Sequence, residues 1–313
     1  MKMAILIMGH KNVEQIIRLI KRCKTKDTDV FVHLDINMGE IPSTMKVDGV
    51  YFTSKRLHGE LDRFSLVEIA LELCKTAKSV DQYFYYALLS GQDYPICNME
   101  RIMEQLTKVY PKPYIDCTPY DKKNWVYHKF TQNRFTTKLG NYISTLENKL
   151  FKFLLIKIRS LLVKTTWVFK CSYYHKLRKM DISLYGGSAW WILPNIIIDF
   201  ILQQSEEKKP YVRILLNTYT PEETYFQILS MRSPLKELVE INSLEIVGQN
   251  CKTYAYFNGK DKPFKGHPYI FTMNEIDLLL KKCNLYYFAR KFDIEVDEDI
   301  VNWIDYNLLK PRN

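Results

Sequence analysis

The sequence predicts an α/β chain with a mainly parallel sheet flanked by helices, and three observations carry that reading. Short apolar runs of strand length alternate with longer segments whose apolar residues recur at helical spacing. Polar, turn-forming residues follow the carboxyl ends of those runs. The chain has 313 residues of which 47% are apolar, enough to bury a full core and too many for global disorder. Residues 4–9 read as the first strand, 13–23 as an amphipathic helix and 29–35 as a second strand ending in His33-Leu34-Asp35, which together make a βαβ opening. A short strand over 50–53 and a helix over 64–77 follow. Tyr83-Phe84-Tyr85-Tyr86-Ala87 reads as a buried strand running into Leu88-Leu89-Ser90-Gly91-Gln92-Asp93-Tyr94-Pro95. Open sheets bind small molecules beyond the carboxyl ends of their strands, so this octet is a candidate ligand site. Its residue types also suit a plain turn bracketed by Gly and Pro. A helix over 99–109 and a strand over 114–116 come next. Residues 120–181 interrupt the alternation as an insertion within a single domain, 1–313. The pattern resumes over 185–193 with a helix to about Gln203, and the tail from Glu275 holds two helices.

The net charge is +10, and residues 148–180 hold nine Lys/Arg and no acid. At about 100° per residue, Lys149, Lys152, Lys157, Arg159, Lys164 and Lys170 share an arc of roughly 160°. Leu150, Phe151, Leu154, Ile158, Leu161, Leu162, Val168 and Phe169 take the other side. A basic amphipathic helix of this kind suits an anionic membrane surface. A helix packed on the main domain with a solvated basic face suits the same pattern. Basicity without a binding module gives electrostatic capacity alone, so no nucleic-acid partner is expected. No stretch reaches the roughly 18 apolar residues of a spanning helix. The opening Met1-Lys2-Met3-Ala4-Ile5-Leu6-Ile7-Met8 is short and lacks a small-residue cleavage site, so it reads as a strand and not as a signal peptide. The expected location is cytoplasmic, dissolved or peripheral on the inner face of the cell membrane. Seven cysteines at scattered positions with no CxxC pair read as reduced thiols, with neither a disulfide framework nor a metal site expected.

Three later segments bear on chemistry. Thr220-Pro221-Glu222-Glu223-Thr224-Tyr225-Phe226 has a Thr at the N-cap, Pro at the first helical position and acids in the first turn, a pattern that capping alone explains. In Gly186-Gly187-Ser188-Ala189-Trp190-Trp191 the small residues let backbone approach a ligand closely. Strand alternation assigns at least one of the two indoles to the core. Tyr287-Phe288-Ala289-Arg290-Lys291-Phe292-Asp293 sets two cations after a short apolar run.

In their order along the chain, these segments resemble the core 2 / I-branching N-acetylglucosaminyltransferase and peptide O-xylosyltransferase family, which carries Ser-Gly-x-Asp-[Tyr/Phe]-Pro where this chain has Ser90 to Pro95. The resemblance implies a GT-A-like nucleotide-sugar transferase fold with a Rossmann-like, mainly parallel sheet. It carries the catalytic base onto Glu223, with Glu222 as a capping or supporting acid. It makes Lys291 the pyrophosphate contact. The family's second cation falls on Pro268, which leaves Arg290, Lys265 or His267 to take its place. Ile7 and Asp35 correspond to uridine contacts, and Asp93 joins them in the donor site. Trp190, Trp191, Tyr254 and Tyr256 correspond to the acceptor side, although the family often has Trp where Tyr254 stands. His10 and His33 lie at strand ends of the donor side and also suit plain structural roles.

The reaction this implies is inverting transfer of N-acetylglucosamine or xylose from a UDP-sugar to a hydroxyl of a glycan or lipid-linked acceptor, in surface polysaccharide or glycoconjugate synthesis. The family is metal-independent, so no cofactor is expected. Asp27-Thr28-Asp29 precedes its strand and Asp297-Glu298-Asp299 lies in a helical region, whereas a metal-holding Asp-x-Asp sits at a strand end. A metal-dependent or retaining transferase is one alternative, and a non-catalytic carbohydrate- or membrane-binding protein is another.

Overall fold

The computed structural model describes residues 1–60, 64–121, 126, 142–143, 146–207, 209–215, 218, 220–242, 250–257 and 267–310, with backbone alone at 149, 163–164 and 166–175. Its strands are β1 Met3–Gly9, β2 Thr28–Leu34, β3 Val50–Phe52, β4 Tyr85–Ser90, β5 Asp93–Pro95, β6 Tyr114–Ile115, β7 Thr118–Pro119, β8 Tyr185–Gly186, β9 Trp191–Pro194, β10 Thr253–Ala255 and β11 Phe288–Arg290. Its α-helices are α1 Val13–Cys23, α2 Ser65–Val80, α3 Met99–Val109, α4 Lys149–Lys179, α5 Asn195–Glu206, α6 Pro210–Leu215, α7 Tyr225–Ser230, α8 Ile276–Lys282 and α9 Asp299–Asn307.

The central sheet runs β3-β2-β1-β4-β9-β6. Its first four strands are parallel, and β9 pairs antiparallel with both β4 and β6. Along β1 the residues alternate between two cores. Met3, Ile5 and Ile7 join the α1 side, with Ile16, Leu19 and Ile20. Ala4 and Leu6 join the α2 side, with Val67, Ala70 and Leu73. A strand covered on both faces must be apolar at every position, which is why β1 reads as a continuous hydrophobic run. Each fully buried Leu or Ile contributes about 1.5–3 kcal/mol. Parallel register aligns the carboxyl ends of three strands, with Gly9 opposite Leu34 and Met8 opposite Ser90.

Two smaller sheets organise what surrounds that edge. In the order β10-β11-β5, β11 pairs parallel with β10 and antiparallel with β5, so that Arg290 lies opposite Asp93. The octet after β4 is therefore a turn followed by a strand, and the tail carries β11 between its two helices. Neither strand was read from the sequence, because each is only three residues long and its partner lies some two hundred positions away. The pair β7–β8 joins Thr118 to Gly186 and Pro119 to Tyr185, closing the insertion at its base. Most of the insertion's first part, 122–125, 127–141 and 144–145, lies outside the described residues. Helix α4 is continuous through 149–179, and near its C-terminal end Leu177 is buried against the α2-side core.

His33 settles into the fold as a buried, neutral side chain at the end of β2. Its Nε2 accepts the Leu57 amide at 2.9 Å. Burial lowers its pKa to about 4, against the opposing pull of Asp35. The unfolded imidazole, with its ordinary value of 6.5, binds a proton that the folded one refuses. This contribution to stability is complete above about pH 6.5 and lost as pH falls toward 4, about 3 kcal/mol in all. The urea midpoint should fall over that window, and His33→Gln, which keeps an acceptor for Leu57, should flatten the slope. An unchanged slope in the variant assigns the acid sensitivity elsewhere.

Candidate active site

The octet that follows β4 is built around its own aspartate. Asp93 is fully buried and accepts the Ser90 amide and the Ser90 hydroxyl, both at 2.8 Å. Ser90 Oγ in turn accepts the Gln92 amide at 3.2 Å. Gly91 is squeezed between α1 and β1, where an added Cβ would stand 3.0 Å from Ile16 and 3.5 Å from Gly9 Cα. Gln15, buried on α1, fastens this turn to the chain beyond β11. Its Nε2 donates to the Gly91 and Phe292 carbonyls at 2.9 Å each, and its Oε1 accepts the Ile294 amide at 3.0 Å.

Opposite Asp93, Arg290 is also buried, with its Nε 3.4 Å from Asp93 Oδ1 and no hydrogen-bond partner there. The Trp190 ring covers its guanidinium at 4.1 Å. Burial pushes the Asp93 carboxyl up and the Arg290 guanidinium down, and each opposes the other's shift. Next in the chain, Lys291 is lowered by burial and then by repulsion from Arg290 and Lys11. Lys11 holds Asp293 at 2.5 Å. His10, exposed at the rim yet partly desolvated by the chain packed around its ring, is pushed down by that desolvation and then by Lys11, Lys291 and Arg290. Cationic groups from two distant parts of the chain thus converge at the carboxyl end of β1. Such a concentration of like charge is costly in the fold and is relieved by an anion.

Asp35 forms the other edge. It accepts the Gly59 amide at 2.8 Å, the Asn37 amide at 2.9 Å and His58 Nδ1 at 3.0 Å. Burial acts to raise its pKa, but the hydrogen bonds outweigh it and hold the carboxylate below its ordinary range. Arg56 braces this loop through the Leu34, Asp35 and Gly39 carbonyls.

The Pro-Glu-Glu segment departs from the capping reading. Thr220 adopts φ 49°, and Pro221–Glu223 is a single 3-10 turn ahead of α7 with no side-chain cap. Thr220 Oγ1 instead donates to Glu223 Oε2 at 3.2 Å. The Glu223 carbonyl accepts the Gly187 amide at 2.9 Å. A Cβ on Gly187 would fall 1.9 Å from the Asp116 carbonyl oxygen, so only glycine fits. Glu223 is close enough for its charge to stabilise the Arg290 cation. Glu222 is buried beneath the turn.

Asp93, Arg290, Lys291 and Glu223 are thus brought together, with Trp190 over Arg290 and Asp35 at the rim of the strand ends. Other expected contacts are corrected. Ile7 has no exposed surface and packs in the α1-side core, which leaves the surface of that strand end to Met8 and His10. Trp191 is buried against Phe226, ring centroids 4.9 Å apart, as its alternation with Trp190 requires. Tyr254 lies opposite Ala289, so it and Tyr256 sit on the face of β10 away from Arg290. There Tyr254 meets Tyr286 and Lys282, while Tyr256 stacks on Phe271. His267 is exposed, with its Nδ1 3.4 Å from the Pro268 carbonyl, and Lys265 lies outside the described residues.

Gln15, Lys11 and His58 escaped the sequence reading. No local signal marks a helical glutamine or a lone surface lysine, and only the folded register reveals what they touch. Among the described residues, no group of three or more His, Cys, Asp or Glu is arranged to hold a metal ion.

Residues 3–278 match the family model of the Core-2/I-branching enzyme. Glu223 lies inside that match, whereas Arg290 and Lys291 lie beyond it. Xylosyltransferase sqv-6 of Caenorhabditis elegans is 21% identical over 98% of this chain and 36% of its own length. Xylosyltransferase 2 of Bos taurus is 22% identical over 97% of this chain and 33% of its own length. The chain therefore spans about a third of the length of the curated relatives it matches.

Removing one partner of the buried Asp93–Arg290 pair strands the other charge, at a cost of about 3–5 kcal/mol. Arg290→Met and Asp93→Asn should each lower the urea midpoint, and the double variant should lose less than the sum of the two. Additive losses in this double-mutant cycle mean that the pair is not coupled.

Proposed function

The chain belongs to the Core-2/I-branching enzyme family, and from that premise we propose that this glycosyltransferase works by metal-independent inversion with Glu223 as its base. The supporting observation is that the Glu223 carboxylate lies within the field of the Arg290 cation, which Lys291 follows directly in the chain. An acceptor hydroxyl attacks the anomeric carbon from the side opposite the nucleotide, and Glu223 takes its proton as the new C–O bond forms. The bond from the anomeric carbon to the phosphate oxygen breaks, and its electron pair leaves with the diphosphate. Arg290 and Lys291 neutralise the charge that develops there. Lys291 is held below its ordinary value by burial and neighbouring cations, and an arriving phosphate reverses that balance. The Thr220 hydroxyl orients the base. Asp35, fixed by three donors, offers the uridine a preset acceptor.

The two relatives are xylosyltransferases, which puts UDP-xylose first among donors and UDP-N-acetylglucosamine second. Trp190, half-buried over Arg290, offers an aromatic face to the acceptor sugar. The Asp-x-Asp segments serve the fold: Asp29 accepts from Lys2 and Tyr83, and Asp297 accepts the Met273 and Ile300 amides. A glycan or lipid-linked acceptor on the inner face of the cell membrane fits this reading. The described cysteines are free thiols, five of the six buried, which suits a reducing compartment.

Glu223→Gln should cut transfer by about 100-fold or more while UDP-sugar affinity stays within a few fold. Comparable transfer by variant and wild type removes Glu223 as the base. Lys291→Ala should weaken UDP binding in titration calorimetry, and transfer should persist in excess EDTA. Complete loss on chelation, restored by manganese, overturns metal independence.

A further inference from the structure

Helix α4 ends in the core and begins in solvent. Leu177 is buried near its C-terminus, and the chain turns back there through the Ile182 amide, which donates to the Leu177 carbonyl at 3.0 Å. The N-terminal turns carry Leu150 at 84% exposure, Leu161 at 64%, Leu154 at 54%, Phe151 at 47% and Ile158 at 42%, with Phe153 and Ile156 also exposed among the cations on the other arc. At about 100° per residue Leu150, Phe151, Leu154, Ile158 and Leu161 fall within an arc of roughly 100°. Five large apolar side chains aligned and this exposed form a continuous ridge, which a soluble surface rarely leaves open.

The charge around the ridge decides what covers it. Residues 148–180 carry nine Lys/Arg and no acid, and Lys152, Lys157 and Arg159 flank the ridge on the opposite arc. A second copy docked through this helix would bring two such cationic sets together with no acid on either. No helix among the described residues is long and apolar enough to cross a membrane. A bilayer surface accepts a helix laid in its plane, with apolar residues among the acyl chains and lysine stems reaching back to the headgroups.

We propose that the N-terminal half of α4 is a docking surface for an anionic lipid bilayer, with the helix lying in the interface plane. The surface is independent of the transferase reading and would serve a chain of any activity. It fixes the enzyme at the membrane through Leu150, Phe151, Leu154, Ile158 and Leu161, while Lys152, Lys157 and Arg159 supply the preference for negative headgroups.

The test is co-sedimentation of the whole chain with vesicles of phosphatidylcholine, with and without about 30% phosphatidylglycerol. The wild type should pellet with the anionic vesicles at low salt, stay in solution with the neutral ones, and be released as salt screens the attraction. Leu150→Ser/Leu154→Ser/Leu161→Ser, at exposed positions, should keep the wild-type melting curve and bind at least tenfold more weakly. Lys152→Glu/Lys157→Glu/Arg159→Glu should do the same. If that triple variant melts early, the serine variant decides. Three results overturn the proposal: no sedimentation of the wild type with anionic vesicles at low salt, equal binding to both vesicle types, or wild-type binding by the serine variant. Self-association of the wild type without vesicle binding, abolished in the serine variant, also overturns it in favour of a contact between copies.

Discussion

The buried pair of Asp93 and Arg290 is the contact on which the site depends. It joins the turn after β4 to a strand near the other end of the chain, and the antiparallel register of β5 and β11 puts the two charges face to face. Neither ion is tolerable in that position alone, because an unpaired buried charge carries a desolvation penalty of several kcal/mol. Each therefore fixes the other. Lys291 follows Arg290 directly, so the same pairing decides where the second cation stands. Trp190 covers the guanidinium, and Glu223 sits within reach of its field. Sheet register, ion pair and cationic corner are one arrangement seen at three scales.

Much of this was legible beforehand, and the reasons differ from residue to residue. The first four strands of the central sheet are long or fully apolar, so composition alone announced them. The alternation at Trp190 and Trp191 foretold that one indole would enter the core, and it is Trp191. The motif order brought Asp93, Glu223 and Lys291 to notice before any geometry existed. Ile7 shows the limit of carrying roles across by position. It occupies the strand that borders the site, but that strand is covered on both faces and Ile7 packs in the α1-side core. Tyr254 is turned from Arg290 by parity, which the pairing of β10 with β11 fixes, and Tyr256 beyond the strand's end joins the α1-side core. Gln15 and His58 had no signature at all, since a buried amide or a half-exposed imidazole is defined by what it meets.

Close packing of backbone on backbone does for the acidic side of the site what the ion pair does for the basic side. Gly187 lies against the Asp116 carbonyl too closely for any side chain, and its amide holds the Glu223 carbonyl. Asp116 is itself buried and accepts from Asn242 and Asn250. Glu223 thus hangs from a rigid scaffold through its backbone, while its carboxylate accepts the Thr220 hydroxyl. A fixed main chain limits how far that carboxylate can wander.

The pairing of β7 with β8 has a bearing on how such a chain can diversify. The insertion departs at Pro119 and returns at Tyr185, one pair of residues from the segment that supports Glu223. With both ends clamped together and Val126, Leu177, Ile182 and Leu184 anchored in the α2-side core, added length outside those anchors costs little, since each doubling of a flexible loop adds only about 0.6 kcal/mol. The exposed N-terminal turns of α4, away from those anchors, are the part that can vary. Selection can lengthen it, shorten it or recharge it without moving the strands on which the site stands.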